Sequence, residues 1–183
     1  LVMLAAGEGR RVGHDTNKVL LPLAGHPVFT WAIRWARHLP HVVHTVLVIR
    51  EQDRPTIEAS LAREVGPPEV AVVVGGETRH GSEWNALQAL APLIEAGRVD
   101  VVVIHDAARP LASTALFGDV INAAWSVGGA IPAIPMRGLI TLDHEAPVQD
   151  HGVAAVQTPQ AFVAAPLLAA YSQADRDGFI GTD

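Results

Sequence analysis

The sequence predicts an α/β fold built on a mostly parallel β-sheet with helices on both faces. Short apolar runs alternate with amphipathic stretches of helix length along the 183 residues, a pattern typical of successive βαβ units. The runs at 42–49 and 101–105 are almost continuously apolar and rich in Val and Ile, which favours strands buried on both faces. Together these observations indicate one layered α/β domain.

Five strands are predicted from the apolar runs, at 1–4, 42–49, 70–74, 101–105 and 130–134. The first leads into a glycine-rich turn, and the third ends at Gly75 and Gly76. Ligands in open parallel sheets bind beyond the carboxyl ends of the strands. We therefore expect the chemistry in the turns that follow Leu4, Val74 and His105.

Five helices are predicted between and after these strands, at 27–38, 54–65, 80–96, 113–126 and 166–173. The core-facing side is expected to be Val28, Trp31, Ile33 and Trp35 in the first helix, and Ser82, Leu87, Leu90 and Ile94 in the third. Pro55 stands at an acceptable early position in the second helix, and Ser113 is a suitable N-cap for the fourth.

Composition limits the class of protein. Apolar residues make up 49% and charged residues 17%, which indicates a folded chain. We predict a single domain over 1–183 that is incomplete at both ends, because the chain opens at Leu1 within a strand and without an initiator Met. The net charge of −6 does not favour nucleic-acid binding.

The sequence contains no apolar run of the roughly 18 residues that a membrane-spanning helix needs, and no secretory signal is visible. It contains no cysteine, so disulfides and thiolate metal sites are excluded. Its nine histidines are scattered and form no HExxH pair, which does not favour a histidine metal site. We expect a cytoplasmic protein without membrane contact.

The first chemical signal is the turn after the first strand, where LAAGEGRR occupies positions 4–11 and Lys18 follows. Glycines there let the backbone approach a phosphate chain and direct N–H groups toward it. Arg11 and Lys18 would add positive charge near a transferring phosphorus, and such transfer depends mainly on positioning and charge neutralisation. The alternative is a plain strand–helix turn with surface cations, since neither GxGxxG nor GxxxxGK[ST] is matched.

The second signal is the sequence GGETRHGS at 75–82. Two glycines at a strand end allow close contact with a flat base or a ribose, and Ser82 in the first helical turn could hydrogen-bond a base edge. The alternative is a glycine-rich loop with an N-cap serine.

The third signal is IHDAARP at 104–110. A carboxylate at the carboxyl end of a buried strand is well placed to hold Mg²⁺ or to orient a hydroxyl nucleophile, and small alanines leave room for a ligand. The alternative for Asp106 and Arg109 is an ion pair that stabilises a loop. The fourth segment, QTPQ at 157–160, is expected to hold the sheet end or a subunit contact through its amides.

In this order, the segments resemble the 2-C-methyl-D-erythritol 4-phosphate cytidylyltransferase family of the non-mevalonate isoprenoid pathway, and its close relative, the ribitol-5-phosphate cytidylyltransferases. The family pattern is AAGxGxR…K, GGxxRxxS, HDAARP, a QTPQxF-like segment and a Thr-Asp pair. Here these stand at 5–11 with Lys18, 75–82, 105–110, 157–162 and 182–183. Each motif is weak alone, but the five in register span nearly the whole chain.

The resemblance implies a Rossmann-like nucleotidyltransferase fold, CTP and Mg²⁺, release of pyrophosphate, and a homodimer that exchanges an arm. We place a protruding arm near 136–152, where Gly, Pro and mixed charge interrupt the pattern. By the same likeness, Arg11 and Lys18 would stabilise the pentavalent phosphorus transition state. The nucleotide contacts would be Leu4, Ala5, Ala6, Gly7, Gly9, Gly76, Glu77 and Ser82, and the acceptor contacts Asp106, Ala107 and Arg109, with Asp106 also at the metal.

Two positions depart from the family pattern, and both concern the acceptor. An Asp-Thr pair that helps to hold the acceptor phosphate is replaced by Gly138 and Leu139, and an Arg a few residues before QTPQ is replaced by Asp150. The family also continues beyond Asp183 with a late phosphate-binding lysine.

Three readings therefore stay open. The first is CMP transfer to methylerythritol phosphate. The second keeps the chemistry but uses another polyol phosphate, such as ribitol 5-phosphate. The third is a nucleotide-binding paralogue without catalysis, which the presence of Arg11, Lys18 and Asp106 opposes. A dinucleotide-dependent oxidoreductase is excluded, because no acidic residue follows a GxGxxG at the right distance.

Overall fold

A computed structural model describes residues 1–7, 17–65, 70–136 and 153–181. Its strands are β1 (Val2–Leu4), β2 (Pro22–Leu23), β3 (His26–Pro27), β4 (Thr45–Ile49), β5 (Val70–Val74), β6 (Val101–Asp106), β7 (Gly129–Ala130), β8 (Ala133–Pro135), β9 (Ala154–Val156) and β10 (Gln160–Val163). Its helices are α1 (Val28–Ala36), α2 (Arg54–Glu64), α3 (Arg79–Glu95), α4 (Thr114–Val127) and α5 (Ala164–Arg176). Short 3₁₀ turns lie at Lys18–Leu20 and Glu51–Asp53.

The central sheet has six strands in the order β5-β4-β1-β6-β10-β7. The four strands β5, β4, β1 and β6 are parallel, whereas β10 runs antiparallel to both β6 and β7. The crossovers between parallel strands contain helices, as βαβ connections require. The predicted mostly parallel α/β fold is confirmed.

The sheet is buried on both faces because its side chains alternate between two helical layers. On one face, Met3 and Leu47 pack with Phe29 and Ile33 of α1, and α4 extends this layer around Phe117. On the other face, the layer is formed by α3 and α5 against the alternate strand positions. Its buried members include Val2, Val46, Val48, Leu87, Leu90, Ile104 and Ala164. Continuous apolar strands are therefore needed, as the sequence indicated.

Three expectations about elements are corrected. The strand predicted at 130–134 is two strands in different sheets, β7 beside β10 and β8 beside β9. Pro132 lies between them and has no N–H to donate to a ladder. The strand β10 was missed, because its four residues follow an amide-rich stretch. The apolar face of α1 was right at Ile33, which is buried, and wrong at Trp35, which is 42% exposed; Phe29 and Ala32, which were not assigned to it, are fully buried.

The strands β8 and β9 pair antiparallel, with Ala133 opposite Val156 and Pro135 opposite Ala154. This ribbon leads toward the segment where the arm is predicted. The arm itself lies outside the described residues. Within the part of the chain that the structure describes, no helix is long and apolar enough to cross a membrane.

Candidate active site

Three of the predicted turns meet at one edge of the sheet. The last residue of β1, Leu4, pairs with Val48 of β4 and with Asp106 of β6, and Ile49 pairs with Val74 of β5. Because these strands are parallel, their carboxyl ends open on the same side. The turns after β1, β5 and β6 therefore surround one shared region, as predicted.

The glycine-rich turns after β1 and β5 pack directly against each other. A side chain at Gly75 would place its Cβ 2.6 Å from the Cβ of Ala6 and 2.8 Å from Oγ of Ser82. A Cβ at Gly76 would lie 2.8 Å from the backbone carbon of Gly81. Glycine is thus required at both positions, because a side chain at Gly75 would meet the side chains of Ala6 and Ser82 and one at Gly76 would meet the backbone of Gly81.

The hydroxyl of Ser82 is used within this loop. It accepts a 3.1 Å hydrogen bond from the backbone N–H of Gly76, and only 5% of Ser82 is exposed. The N-cap of α3 is Thr78, which accepts from the N–H of Gly81, so Ser82 is not the cap. Ser82 therefore shapes the loop that presents the exposed Gly76 and Glu77.

The alanine-glycine turn after β1 is fixed through its backbone. Ala5 donates its N–H to the carbonyl oxygen of Val48 (2.8 Å), and its own carbonyl oxygen accepts from the side-chain amide of Asn17 (2.9 Å). Ala5 is buried, Ala6 is half-buried, and Gly7 is exposed with open space around its Cα. Among the residues of this turn that the structure describes, Gly7 is the most exposed.

Asn17 also positions the predicted catalytic lysine. Its amide donates to a carboxylate oxygen of Asp53 (2.8 Å), and Arg50 pairs with the same carboxylate at 2.7 Å. Asn17 is 1% exposed, and the next residue, Lys18, has an exposed side chain at the start of a 3₁₀ turn. A buried polar anchor therefore holds Lys18 beside the turn after β1.

The carboxylate of Asp106 is paired with two arginines. Arg79 Nη1 donates to one oxygen at 2.6 Å, and Arg109 Nε donates to the other at 3.0 Å. Arg109 also donates to the side-chain oxygen of Gln157. Burial by itself would raise the pKa of Asp106, but the charges and hydrogen bonds of Arg79 and Arg109 outweigh it and lower the pKa below its ordinary value.

The metal role predicted for Asp106 stays a prediction. Both carboxylate oxygens already accept hydrogen bonds from arginines, and across the described ranges no three His, Asp or Glu residues are grouped to hold a metal ion. Each carboxylate oxygen can accept a further contact, so a Mg²⁺ ion at Asp106 would share this carboxylate with the two arginines.

His105 connects the QTPQ segment to β6 through a hydrogen bond with Thr158. Its ring is fully buried, with Nε2 lying 3.1 Å from the carbonyl oxygen of Arg109 and Nδ1 lying 3.0 Å from the hydroxyl of Thr158. The carbonyl requires Nε2 to carry the proton, so the Thr158 hydroxyl donates to Nδ1 and accepts from the Asp106 N–H (3.2 Å). Burial lowers the pKa of His105, and its hydrogen bond to the Arg109 carbonyl opposes this.

A second buried carboxylate lies behind Arg79. Glu83 accepts from Arg79 Nε at 2.9 Å and from the hydroxyl of Tyr171 on α5. The sequence analysis did not select Asn17, Glu83 or Tyr171, because none belongs to a recognised motif. The only available signal was a polar residue on the buried side of a helix, as Glu83 follows Ser82 in α3.

The structure does not describe the positions of several residues that the sequence analysis singled out. Gly9 and Arg11 lie outside the described residues, as do the departures at Gly138, Leu139 and Asp150 and the Thr-Asp pair at 182–183. Ala107 is described and is fully buried in the core under the site, so its side chain does not support the predicted ligand contact.

One cavity in the described part of the chain lies elsewhere. It has a volume of about 270 Å³ and is lined by Ile33, Leu39, Thr45 and Val70, among others. Thr45 and Val70 begin β4 and β5, so this cavity is at the amino end of the strands. It is therefore separate from the edge where the turns meet.

Comparisons with known proteins agree with this arrangement. Residues 1–183 match the family described as 2-C-methyl-D-erythritol 4-phosphate cytidylyltransferase. A relative of that name from Geobacillus kaustophilus is 34% identical over 186 residues, which cover 100% of this chain and 79% of the relative. Another from Parasynechococcus marenigrum is 38% identical over 192 residues, covering 100% of this chain and 80% of the relative.

Solved structures agree as well. The chain superposes on 4-diphosphocytidyl-2C-methyl-D-erythritol synthase from Anaerococcus prevotii with a TM-score of 0.80 and 27% identity, covering 100% of this chain and 77% of that one. It superposes on the 2-C-methyl-D-erythritol 4-phosphate cytidylyltransferase of Thermus thermophilus with a TM-score of 0.69 and 26% identity, covering 100% and 79%. The chain belongs to the 2-C-methyl-D-erythritol 4-phosphate cytidylyltransferase family and is a nucleotidyltransferase.

Proposed function

We propose that this nucleotidyltransferase moves CMP from CTP onto 2-C-methyl-D-erythritol 4-phosphate and releases pyrophosphate, a step in the formation of isoprenoid precursors. The observation that carries this proposal is the meeting of three turns at one sheet edge. Two of them are glycine-rich and are fixed by Ser82 and Asn17, and the third presents Asp106 and Arg109. Family membership supports CTP as the nucleotide.

The nucleotide half of the site consists of the turns after β1 and β5. Gly7 and Gly76 are exposed there, which lets the backbone come close to a base and a phosphate chain. We assign the nucleotide contacts to Leu4, Ala5, Ala6, Gly7, Gly9, Gly76, Glu77 and Ser82. Of these, Ser82 acts by holding Gly76 in place.

Catalysis is assigned to Lys18 and Arg11. Nucleotidyl transfer asks the protein to align an attacking oxygen with phosphorus and to neutralise the charge that develops on the phosphoryl oxygens. Lys18 is exposed at the site edge while its backbone is anchored through Asn17. This combination supports a cation that is already in position before CTP binds.

Asp106 and Arg109 are assigned to the acceptor. Arg109 is about half-exposed and its Nη1 is held by Gln157, so a guanidinium group is presented to solvent beside a carboxylate. An arginine suits a phosphate group because it donates two parallel hydrogen bonds, and a carboxylate can orient a hydroxyl nucleophile. Arg109 would thus contact the phosphate end of a polyol phosphate, and Asp106 would contact the hydroxyl that attacks.

Mg²⁺ is proposed as the cofactor, supplied with CTP. Mg²⁺ usually keeps several waters and is bound largely by substrate phosphates, which is compatible with an edge that carries cations and few available carboxylates. We also propose a homodimer, supported by the exposed apolar ribbon in which Ile134 is 58% and Val156 55% exposed. A CTP-dependent enzyme would act in the cytoplasm, where CTP is found.

A second acceptor is supported by a specific observation. Gly138, Leu139 and Asp150 replace the residues that in the family pattern hold the acceptor phosphate. An enzyme with these changes would bind methylerythritol phosphate less tightly or would use another polyol phosphate, such as ribitol 5-phosphate. Arg109 is the described cation best placed to compensate.

The test is pyrophosphate release by the full-length protein, with CTP, Mg²⁺ and each polyol phosphate in parallel reactions. We expect transfer to methylerythritol phosphate with CTP and little with ATP, GTP or UTP, because a base-reading site leaves polar groups unpaired with the wrong base. A higher kcat/KM for ribitol 5-phosphate would establish the second acceptor instead. If no pyrophosphate is released from CTP with any of the acceptors, the proposed function is wrong.

A further inference from the structure

Glu83 is a buried carboxylate in α3, and both of its oxygens accept hydrogen bonds. Arg79 Nε donates to Oε1 at 2.9 Å, and the hydroxyl of Tyr171 donates to Oε2. Glu83 is 8% exposed. Burying a carboxylate is costly unless it is paired and hydrogen-bonded, so its presence at this place in the core layer needs a reason.

Arg79 connects Glu83 to the site. Its guanidinium group bonds to Glu83 through Nε and to Asp106 through Nη1 at 2.6 Å. Because a guanidinium is planar and rigid, holding Nε at one edge fixes the direction in which Nη1 donates. The orientation of the arginine on Asp106 is therefore set from behind by Glu83.

Helix stability does not account for this pair. Arg79 is the first residue of α3, where the helix dipole disfavours a positive charge. An arginine one turn before a glutamate is also the less favourable order for such a pair. The arrangement instead serves the contact that Arg79 makes outside the helix, with Asp106.

Tyr171 is the last residue in the series of hydrogen bonds that runs from Asp106 through Arg79 and Glu83. Its ring stacks on His80 of α3, with centroids 4.6 Å apart and planes 10° apart, while its hydroxyl donates to Glu83. These contacts, together with stacking on Trp84, pack α5 against α3 behind the site. The carboxylate of Glu83 is thereby kept in one position.

We propose that Glu83 is a positioning residue of the acceptor half of the site, and that it acts on Asp106 through Arg79. The inference rests on the proposed role of Asp106 in binding the acceptor. Glu83 itself contacts no substrate. Its role is to keep Arg79, and through it the Asp106 carboxylate, in the orientation that the acceptor hydroxyl requires.

The experiment is a double-mutant cycle on the full-length protein, comparing wild type, E83Q, D106N and E83Q/D106N. Glutamine keeps the shape of Glu83 but removes its charge. The matched control is E95Q, alone and with D106N, because Glu95 is an exposed glutamate at the other end of the same helix. For each protein, kcat, the KM of CTP, the KM of the acceptor and the thermal midpoint are measured.

We expect E83Q to lower kcat/KM for the acceptor by about 10-fold, mainly through KM, with the KM of CTP changed by less than about 2-fold. In the D106N background, E83Q should have little further effect, because residues in one network are not additive. E95Q should match its parent in both backgrounds. Y171F keeps the Glu83 charge and removes one hydrogen bond, so a smaller effect with the same division between acceptor and CTP is expected.

Additive effects of E83Q and D106N, or an equal rise in the KM of CTP, would overturn the inference. So would an E83Q protein that behaves like E95Q. Wild-type transfer tests the proposed function separately, and the cycle is run with whichever polyol phosphate the wild type uses. If the wild type transfers to none, the proposed function falls, and additivity of E83Q and D106N in the thermal midpoint would still refute the link between the two residues.

Discussion

The side-chain amide of Asn17 donates a 2.9 Å hydrogen bond to the carbonyl oxygen of Ala5. The same amide also donates to Asp53. Asn17 directly precedes the predicted catalytic lysine, Lys18, so its buried side chain connects this lysine to the turn after β1. The bond explains how Lys18 can be exposed and still have a defined backbone position. It also makes Asn17 the first residue to test.

Asn17→Ala should lower both stability and turnover. The change leaves the Ala5 carbonyl without its side-chain donor and removes one donor from the Asp53 carboxylate, which keeps Arg50. A buried group left unpaired costs about 1–3 kcal/mol. Urea unfolding should show a loss of this size, and kcat should fall because Lys18 loses its anchor. Asn122→Ala, at an exposed position in α4, should lower neither quantity; a stable, fully active Asn17→Ala enzyme would contradict the assignment.

Lys18→Ala should lower kcat strongly while changing CTP affinity less. A cation directed at charge that develops only in the transition state appears in kcat rather than in binding. By analogy with the loss of an oxyanion-hole donor, the decrease should be on the order of 10²–10³-fold. Single-turnover kinetics and calorimetry with CTP check the two quantities. Lys18→Arg keeps the charge and should retain more activity than Lys18→Ala; near wild-type turnover in Lys18→Ala would refute the role.

Gly75→Ala should weaken nucleotide binding. The added Cβ would lie 2.6 Å from Ala6 and 2.8 Å from Oγ of Ser82, so the two turns must separate. We expect a KM for CTP raised by about 10-fold, together with a loss of stability typical of overpacking, about 1–3 kcal/mol. The control is Gly118→Ala within α4, where a Cβ meets nothing within 4 Å; it should stabilise the protein by about 0.5–1 kcal/mol. An unchanged KM in Gly75→Ala would show that the loop tolerates this shift.

Asp106→Asn should fold but lose most transfer activity. Asparagine has nearly the same shape, yet it removes the negative charge that pairs with Arg79 and Arg109. We expect kcat/KM for the acceptor to fall by about 100-fold, as for other lost charged contacts in active sites, while CTP affinity is kept. Asp100→Asn, which changes an exposed aspartate just before β6, is the matched control. Full activity with Asp106→Asn would remove Asp106 from the acceptor site.

His105 should make stability depend on pH. Burial lowers the pKa of His105 in the folded protein, so the unfolded chain binds the proton more tightly. Stability is therefore full above the ordinary histidine pKa of about 6.5 and decreases as the pH falls below it. The limit for one residue is about 1.4 kcal/mol per pH unit.

This dependence is measured by urea unfolding of wild type, His105→Gln and His38→Gln. The pH range, from about 8 to about 5, brackets the ordinary histidine pKa. The slope should be reduced in His105→Gln and unchanged in His38→Gln, because His38 is exposed. Equal slopes in all three proteins would show that His105 does not carry the effect.

The sequence by itself determined the layered α/β fold and the three turns that meet at one edge of the sheet. The run at 101–104 in β6 is continuously apolar because both faces of the sheet are covered. The glycines and charged residues at the ends of β1, β5 and β6 can be recognised from the sequence alone. It also determined the family, since five short motifs in a fixed order are specific even when each is weak. The observed boundaries of most helices differ from the predicted ones by one to three residues, as with α5, which begins at Ala164.

Only the tertiary structure decided which polar groups meet. Asn17 and Asp53 are 36 residues apart, and Glu83 and Tyr171 are 88 apart, so no local pattern links them. The strand β10 depends on pairing with β6, and the split of the strand at Pro132 depends on which neighbour each half finds. A hydrogen bond between distant residues is set by how the layers pack, and that packing is a property of the whole chain rather than of any segment.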